Sequence, residues 1–208
     1  MTSRKWTLFR ERVQVFFEEV QRTSAKIKPW IKVVRSDKYH DFIKFIIRSK
    51  QLNTQYKLLI CLQLSLGARV SEALNLKKED FVFRSDGTVG VKILVLKKKH
   101  TVLRIGDVDT QVVPCLAKFL ESLGNHDLLF TIKRNAVGKQ YKKMMGITTH
   151  GLRHSCINYF YDILDYKTED VVNIWQFSNW RTALRYHNSN PDRQSQDIAA
   201  RRRLAKVG

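Results

Sequence analysis

The 208-residue sequence predicts an α+β domain, mostly helical, with a small three-stranded antiparallel sheet. Two observations predict it. Apolar residues recur at helical spacing through most of the chain. One stretch departs from that pattern: residues 81–108, FVFRSDGTVGVKILVLKKKHTVLRIGDV, are dense in Val and Ile and broken by two turn signals, DG and KKKH, which is the pattern of a meander. A hydrophobic content of 43% is ordinary for one packed core of this length.

In chain order, residues 7–22 (TLFRERVQVFFEEVQR) put Phe9, Val13, Phe16, Phe17 and Val20 on one stripe and predict a first helix with Thr7 as its cap. SAKIKPWIKVVRS follows with Pro29, clustered cations and no period, so it reads as a basic connector and sets a boundary near residue 30. Helices are expected over 37–49 and 54–66, the second apolar enough to be central and stopped by Gly67. ARVSEALNL restarts a short helix before the meander. Further helices are expected over 110–123, 135–145, 150–164, 168–176 (capped by Thr168) and 179–187. PDRQSQDIAARRRLAKV reads as a last exposed helix, with Asp192 near its start and Arg201 to Arg203 toward its end, as the helix dipole favours. The expected organisation is a helix and connector over 1–30, a main domain over 31–190 and a basic tail helix over 191–208.

Charge narrows the partner. Lys and Arg number 38 against 19 acidic residues, a formal charge of +19, which exceeds what solubility needs and points to a polyanion, nucleic acid first. A basic membrane-surface protein would concentrate its cations on one helix with an apolar opposite face, whereas here they run through almost every segment. Cys61, Cys115 and Cys156 form no CxxC pair and sit among apolar neighbours, the usage of reduced core thiols inside a cell. The N-terminus lacks an apolar signal core, and LLICLQLSLGA is too short to span a bilayer, so an intracellular, DNA-associated protein with no membrane partner is expected.

Three places carry residues suited to phosphate chemistry. In GARVSEALNL, Arg69 stands at a break between an apolar helix and the next, with Glu72 one turn on. A surface ion pair is the plainer reading of such a pair, but an arginine held by the core can present two N–H donors to two phosphate oxygens. In TTHGLRHSC, His150 and Arg153 fall on one face near a helix N-terminus, where backbone N–H groups already favour an anion; His154 follows. HGLRH lacks the intervening glutamate of a zincin and has no third ligand at a recognisable spacing, so no metal and no cofactor are expected. In KILVLKKKHTVLRI, strand alternation aligns Val91, Ile93, Val95 and Lys97. Lys97 thus marks where an inward row gives way to charge at a hairpin tip, beside the solvated Lys98 and Lys99.

Together, GARVSEAL, a β-meander ending in lysine, THGLRH, and RY about thirty residues on resemble the tyrosine recombinase, or phage integrase, family over residues 31–190. The resemblance implies that Arg69 and Arg153 grip the non-bridging oxygens of a scissile DNA phosphate, that Tyr186 attacks it, and that His150 assists proton movement or holds the phosphate. It further implies Lys97 as general acid for the departing 5′-oxygen, Glu72 as the acidic support, and a 3′-phosphotyrosyl intermediate. Lys98, Lys99, Arg181 and Arg185 are expected to contact double-stranded DNA, and the family's habit implies a homotetramer on DNA. The physics agrees: a phenol, with a pKa near ~10, is a weak nucleophile at neutral pH and needs cations around it and around the pentacoordinate phosphate.

Two features depart from the family pattern. Phe177 falls where a His or Trp usually donates a hydrogen bond to the phosphate, with Gln176 where a Gly usually precedes it. That leaves open a slower enzyme, a local shift in alignment, or a protein that binds without cutting; Trp175 and Trp180 stand near enough in sequence for one to supply an indole N–H. Only about 30 residues precede the match, so the usual N-terminal clamp is expected to be absent or minimal. A non-catalytic DNA-binding protein of this fold and a type IB-like topoisomerase are the competing readings.

Overall fold

A computed structural model describes residues 3–21, 30–96 and 101–187. The tail helix expected over 191–208, the hairpin tip with Lys97, Lys98 and Lys99, and the first part of the connector lie outside the described residues.

The chain begins with α1 (Ser3–Gln14), followed by β1 (Phe17–Gln21) and β2 (Trp30–Val34), which pair antiparallel with Phe17 opposite Val34 and Val20 opposite Ile31. This corrects two expectations. The helix foreseen over 7–22 ends at Gln14, and the end of the connector is a strand. Phe16, Phe17 and Val20 satisfy a helical period equally well, but β-branched and aromatic residues prefer a pleated surface when a matching strand such as WIKVV is available, and cross-strand pairing overrides the local period. Thr7, foreseen as a cap, lies inside α1.

α1 is nonetheless covered. Phe9 and Val13 are buried, Phe9 stacks on Phe45 with centroids 5.5 Å apart, and Gln14 Nε2 donates to Met145 O at 3.1 Å. Phe45 belongs to α2 (Tyr39–Arg48), whose inner stripe of Tyr39, Phe42, Ile43 and Ile46 is buried. The central helix is α3 (Thr54–Leu66), its start capped by the Asn53 side chain accepting from Tyr56 N–H and its end set by Gly67 in the left-handed conformation at φ 54°.

After α4 (Val70–Leu74) the foreseen meander forms a sheet ordered β3 (Phe81–Phe83), β4 (Val89–Leu96), β5 (Thr101–Asp107). The DG turn works as its sequence suggests: Gly87 takes φ 81°, and Asp86 Oδ1 accepts from Thr88 N–H at 2.9 Å. Val89, Val91, Ile93 and Val95 of β4 face the core. The remaining helices are α5 (Val113–Glu121), α6 (Arg134–Met145), α7 (Thr149–Asp162), α8 (Thr168–Trp175) and α9 (Trp180–His187). α7 packs closely on β2: the Ser155 hydroxyl accepts from Val34 N–H at 2.7 Å, and a Cβ at Gly151 would come within 2.5 Å of Lys32 O. Cys61 and Cys156 are buried and all three cysteines are free thiols. No helix among the described residues is long and apolar enough to cross a membrane.

Candidate active site

The site is assembled where α3 ends. Gly67 turns the chain out of α3, and Arg69 becomes the N-cap of α4. Glu72, in the first turn of α4, accepts from Arg69 N–H at 2.8 Å through Oε2 and from Arg69 Nη1 at 2.6 Å through Oε1. The carboxylate therefore caps the helix and orients the guanidinium at once. Its side chain is 5% exposed, while that of Arg69 is 50% exposed, so the arginine reaches outward from an anchored base.

α7 approaches from the opposite side, its first turn capped by the Thr148 hydroxyl accepting from Gly151 N–H at 3.2 Å. Arg153 is buried, its Nη1 donating to Gly67 O at 2.6 Å and lying 3.7 Å from Glu72 Oε2. Glu72 thus serves both predicted arginines, and a third that sequence reasoning missed. Arg104 of β5 lies 3.9 Å from Glu72 Oε2 and donates through Nη2 to Leu66 O at 2.8 Å. Three guanidiniums share one carboxylate, an excess of two positive charges in a largely buried place. Arg153 Nη2 and Arg104 Nε are buried with no hydrogen-bond partner among the described residues. A set of fixed cations with spare N–H donors suits an oxyanion such as a phosphate diester.

α9 delivers Tyr186 to the same place. Its ring centroid is 4.1 Å from that of His154 and 6.3 Å from that of His150, and the ring stacks on Phe177 at 5.5 Å and 27°. His150 is exposed at the helix start, whereas His154 is buried beneath the tyrosine. Phe177 is held by its own N–H donating to Val172 O at 3.0 Å, after Gln176 turns the chain at φ 52°. The Arg153 guanidinium sits 5.3 Å from the Phe177 ring centroid. Phe177 therefore lies between the cation and the phenol, and it contributes a packing surface with no donor.

Trp175 does not supply that donor. Its indole N–H is committed to Leu66 O at 3.2 Å in the core, where burial requires a partner for it, which overturns the possibility that it swings into the site. Trp180 is 57% exposed, with the Arg181 guanidinium 6.0 Å from its ring. Arg181 is exposed at the start of α9; the side chain of Arg185, like Lys97, Lys98 and Lys99, lies outside the described residues. Among the described residues, no group of three or more His, Cys, Asp or Glu side chains is placed to hold a metal ion. A separate cleft of about 1030 Å³ between α1 and α2 is lined by Lys5, Arg12, Lys44, Arg48 and Lys50, with Asp41 as its acidic member.

Residues 32–193 match the phage integrase family. The chain belongs to that family. No curated protein matches it in sequence. Among solved structures, this integrase-family chain is similar to the XerH site-specific recombinase bound to a palindromic difH substrate in a post-cleavage complex, with a TM-score of 0.65 and 20% identity over 80% of this chain and 52% of that one. It is also similar to the XerA recombinase, with a TM-score of 0.64 and 18% identity over 82% and 65% of the two chains. The catalytic domain of the bacteriophage HP1 integrase matches with a TM-score of 0.55 and 16% identity over 80% and 93%. The fold is thus that of integrase catalytic domains. The matched region is about half the length of the XerH recombinase chains.

Proposed function

We propose that this integrase-family protein is a site-specific DNA recombinase that cleaves and rejoins DNA through Tyr186. The observation that carries the reading is the meeting, within one chain, of Tyr186 with Arg153, joined through Phe177, next to Glu72 and Arg69. In the proposed reaction Arg69 and Arg153 hold the two non-bridging oxygens of the scissile phosphate. The Tyr186 oxygen attacks phosphorus, the bond to the 5′-oxygen breaks, and a 3′-phosphotyrosyl link forms. Lys97 gives a proton to the departing 5′-oxygen, and His150, exposed beside the tyrosine, assists the proton movement or holds the phosphate. His154 packs against the Tyr186 ring and fixes its place. Rejoining reverses the step, with a 5′-hydroxyl attacking the phosphotyrosine, so neither ATP nor a metal is consumed.

The partner is double-stranded DNA inside the cell, in keeping with a formal charge of +19 and with the basic cleft between α1 and α2. Lys98, Lys99, Arg181 and Arg185 are proposed to contact its backbone, and the working assembly is proposed to be a tetramer on DNA. In this proposal residues 31–190 are the catalytic domain and 191–208 a basic tail.

The test is a randomised pool of nicked duplexes, from which covalent protein–DNA adducts are trapped under denaturing conditions and sequenced. Tyr186→Phe and Arg153→Ala should yield none. An adduct that persists in Tyr186→Phe would sink the assignment. A second reading, a DNA-binding protein that does not cut, is favoured by one observation, the missing donor at Phe177. It predicts salt-sensitive binding with no adduct from the unaltered chain.

A further inference from the structure

β5 is folded inside out. Arg104 is 4% exposed, whereas its neighbours Leu103 and Ile105 are 57% and 64% exposed. The register opposes Ile93 to Arg104 and Leu94 to Leu103, so the arginine shares the inner face with the β4 core row. A slip of one residue would bury both aliphatic side chains and free the cation, but it would also turn Val102 away from the core and bring Asp107 inward, so patterning alone leaves the choice open. The fold holds the other register and makes room for it. A Cβ at Gly106 would press on Leu66 Cδ2 at 3.0 Å and reach ordinary contact with Arg104 Nη1 at 3.6 Å, so the glycine lets β5 pack closely under the end of α3 beside the guanidinium. The guanidinium ends at Leu66 O and the Glu72 carboxylate, and Arg104 Nε is left without a partner among the described residues. Burying a guanidinium is costly unless its charge is matched, and here the matching group is Glu72 of the candidate site.

We propose that Arg104 is a positioning residue of the phosphate site: it braces Glu72 from the sheet side so that Arg69 and Arg153 stay aligned, and its positive charge takes up part of the role of the donor missing at Phe177. The inference rests on the recombinase reading. Glu72 accepts hydrogen bonds from Arg69, while Arg153 and Arg104 meet its Oε2 as ion pairs at 3.7 and 3.9 Å from two sides, so the sheet-side cation balances the pull of the helix-side one. Glu72 caps α4 with one oxygen and meets Arg104 and Arg153 with that same oxygen, so the brace is transmitted to both phosphate-gripping groups. A charge also acts at a distance in a desolvated site, which a hydrogen-bond donor cannot do. Burial, and then the like charge of Arg153, lower the Arg104 guanidinium to about 10, which still leaves it protonated at neutral pH.

The experiment compares the full chain with Arg104→Lys and Arg104→Met on the duplex recovered from the adduct pool, reading single-turnover adduct rate, half-saturating DNA concentration and thermal melting. Loss of alignment should slow adduct formation in Arg104→Met on the order of 100-fold. Half-saturation should move by less than about threefold, and Arg104→Lys should recover most of the rate, a split that separates chemistry from binding. If Arg104→Met does not fold, Arg104→Gln, which keeps a donor for Leu66 O without the charge, carries the same expectation. A rate within about threefold of the unaltered chain overturns the proposal, as does equal damage in Arg104→Lys and Arg104→Met that tracks their melting. If the unaltered chain forms no adduct, the recombinase reading falls separately, and inorganic phosphate decides the role of Arg104. Phosphate should raise the melting temperature beyond chloride of equal ionic strength, and Arg104→Met should lose that gain. Equal responses of the two proteins would overturn the inference.

Discussion

Glu72→Ala removes the one carboxylate on which the candidate site turns. Three contributions follow from its contacts. The α4 N-cap loses the hydrogen bond from Arg69 N–H, a loss of about 1 kcal/mol. The ion pair with Arg69 adds little, about 0–1 kcal/mol, because the arginine side chain is half exposed and solvent screens it. The largest share comes from Arg153 and Arg104, whose side chains are 2% and 3% exposed and lose their countercharge. Leaving a buried ion without its partner costs about 3–5 kcal/mol, and separations of 3.7 and 3.9 Å place this case toward the lower figure. The expected loss is about 4 kcal/mol, a large part of the roughly 5–15 kcal/mol that holds a domain together. Urea unfolding followed by circular dichroism measures it, with Glu72→Gln as the companion that keeps an acceptor without the charge and loses roughly half as much. Adduct formation should fall in both variants. A loss under about 1 kcal/mol in Glu72→Ala would refute the idea that these cations depend on it.

Other outcomes can be checked on the same protein. Gly67→Ala should destabilise by more than the ~1 kcal/mol of a left-handed alanine, because its Cβ would overlap the Trp175 indole, with Cε2 at 2.9 Å; a melting temperature unchanged by the substitution would contradict the geometry. Phe177→His, which adds a donor between Arg153 and Tyr186, should speed adduct formation, and an unchanged rate would mean that the position does not face the phosphate. Cys61 and Cys156 should resist iodoacetamide in the native chain at pH 8 while Cys115 reacts first, read by peptide mass spectrometry. Burial pushes the Cys156 thiol up from 9.0 to about 12, and it raises Tyr39 and Tyr141 in the same sense. The unfolded chain then loses these protons before the native one does. The contribution of these groups to stability should therefore be level below pH 9 and be lost as pH climbs toward 12, and a urea midpoint that rises over that interval would reverse the assignment.

The parts legible in the sequence were those written in neighbouring residues. Gly67 ends α3 because a left-handed stop acts within a turn of where it stands. The DG turn and the Val and Ile alternation of β4 likewise specify the meander, and GARVSEAL with THGLRH carry Arg69, His150, Arg153 and His154 in motifs that can be read locally. What stayed hidden depended on distant partners. The stripe of Phe9, Val13, Phe16, Phe17 and Val20 suits a helix until Trp30–Val34 is available to pair with its second half. Arg104 gave one signal, a charge between two aliphatic residues in TVLRIGD, but alternation is symmetric and does not say which face is buried; only the register against Ile93 does. Trp175 stands near enough in sequence to supply a donor, but α8 directs its indole to Leu66 O. The sequence by itself determined the fold class, the order of its helices and the chemistry the charged residues are suited for, because propensity, capping and motif spacing are local. Only the tertiary structure decided which cations share Glu72, what stands between Arg153 and Tyr186, and which face of β5 is inside, because each is set by packing between segments far apart in the chain.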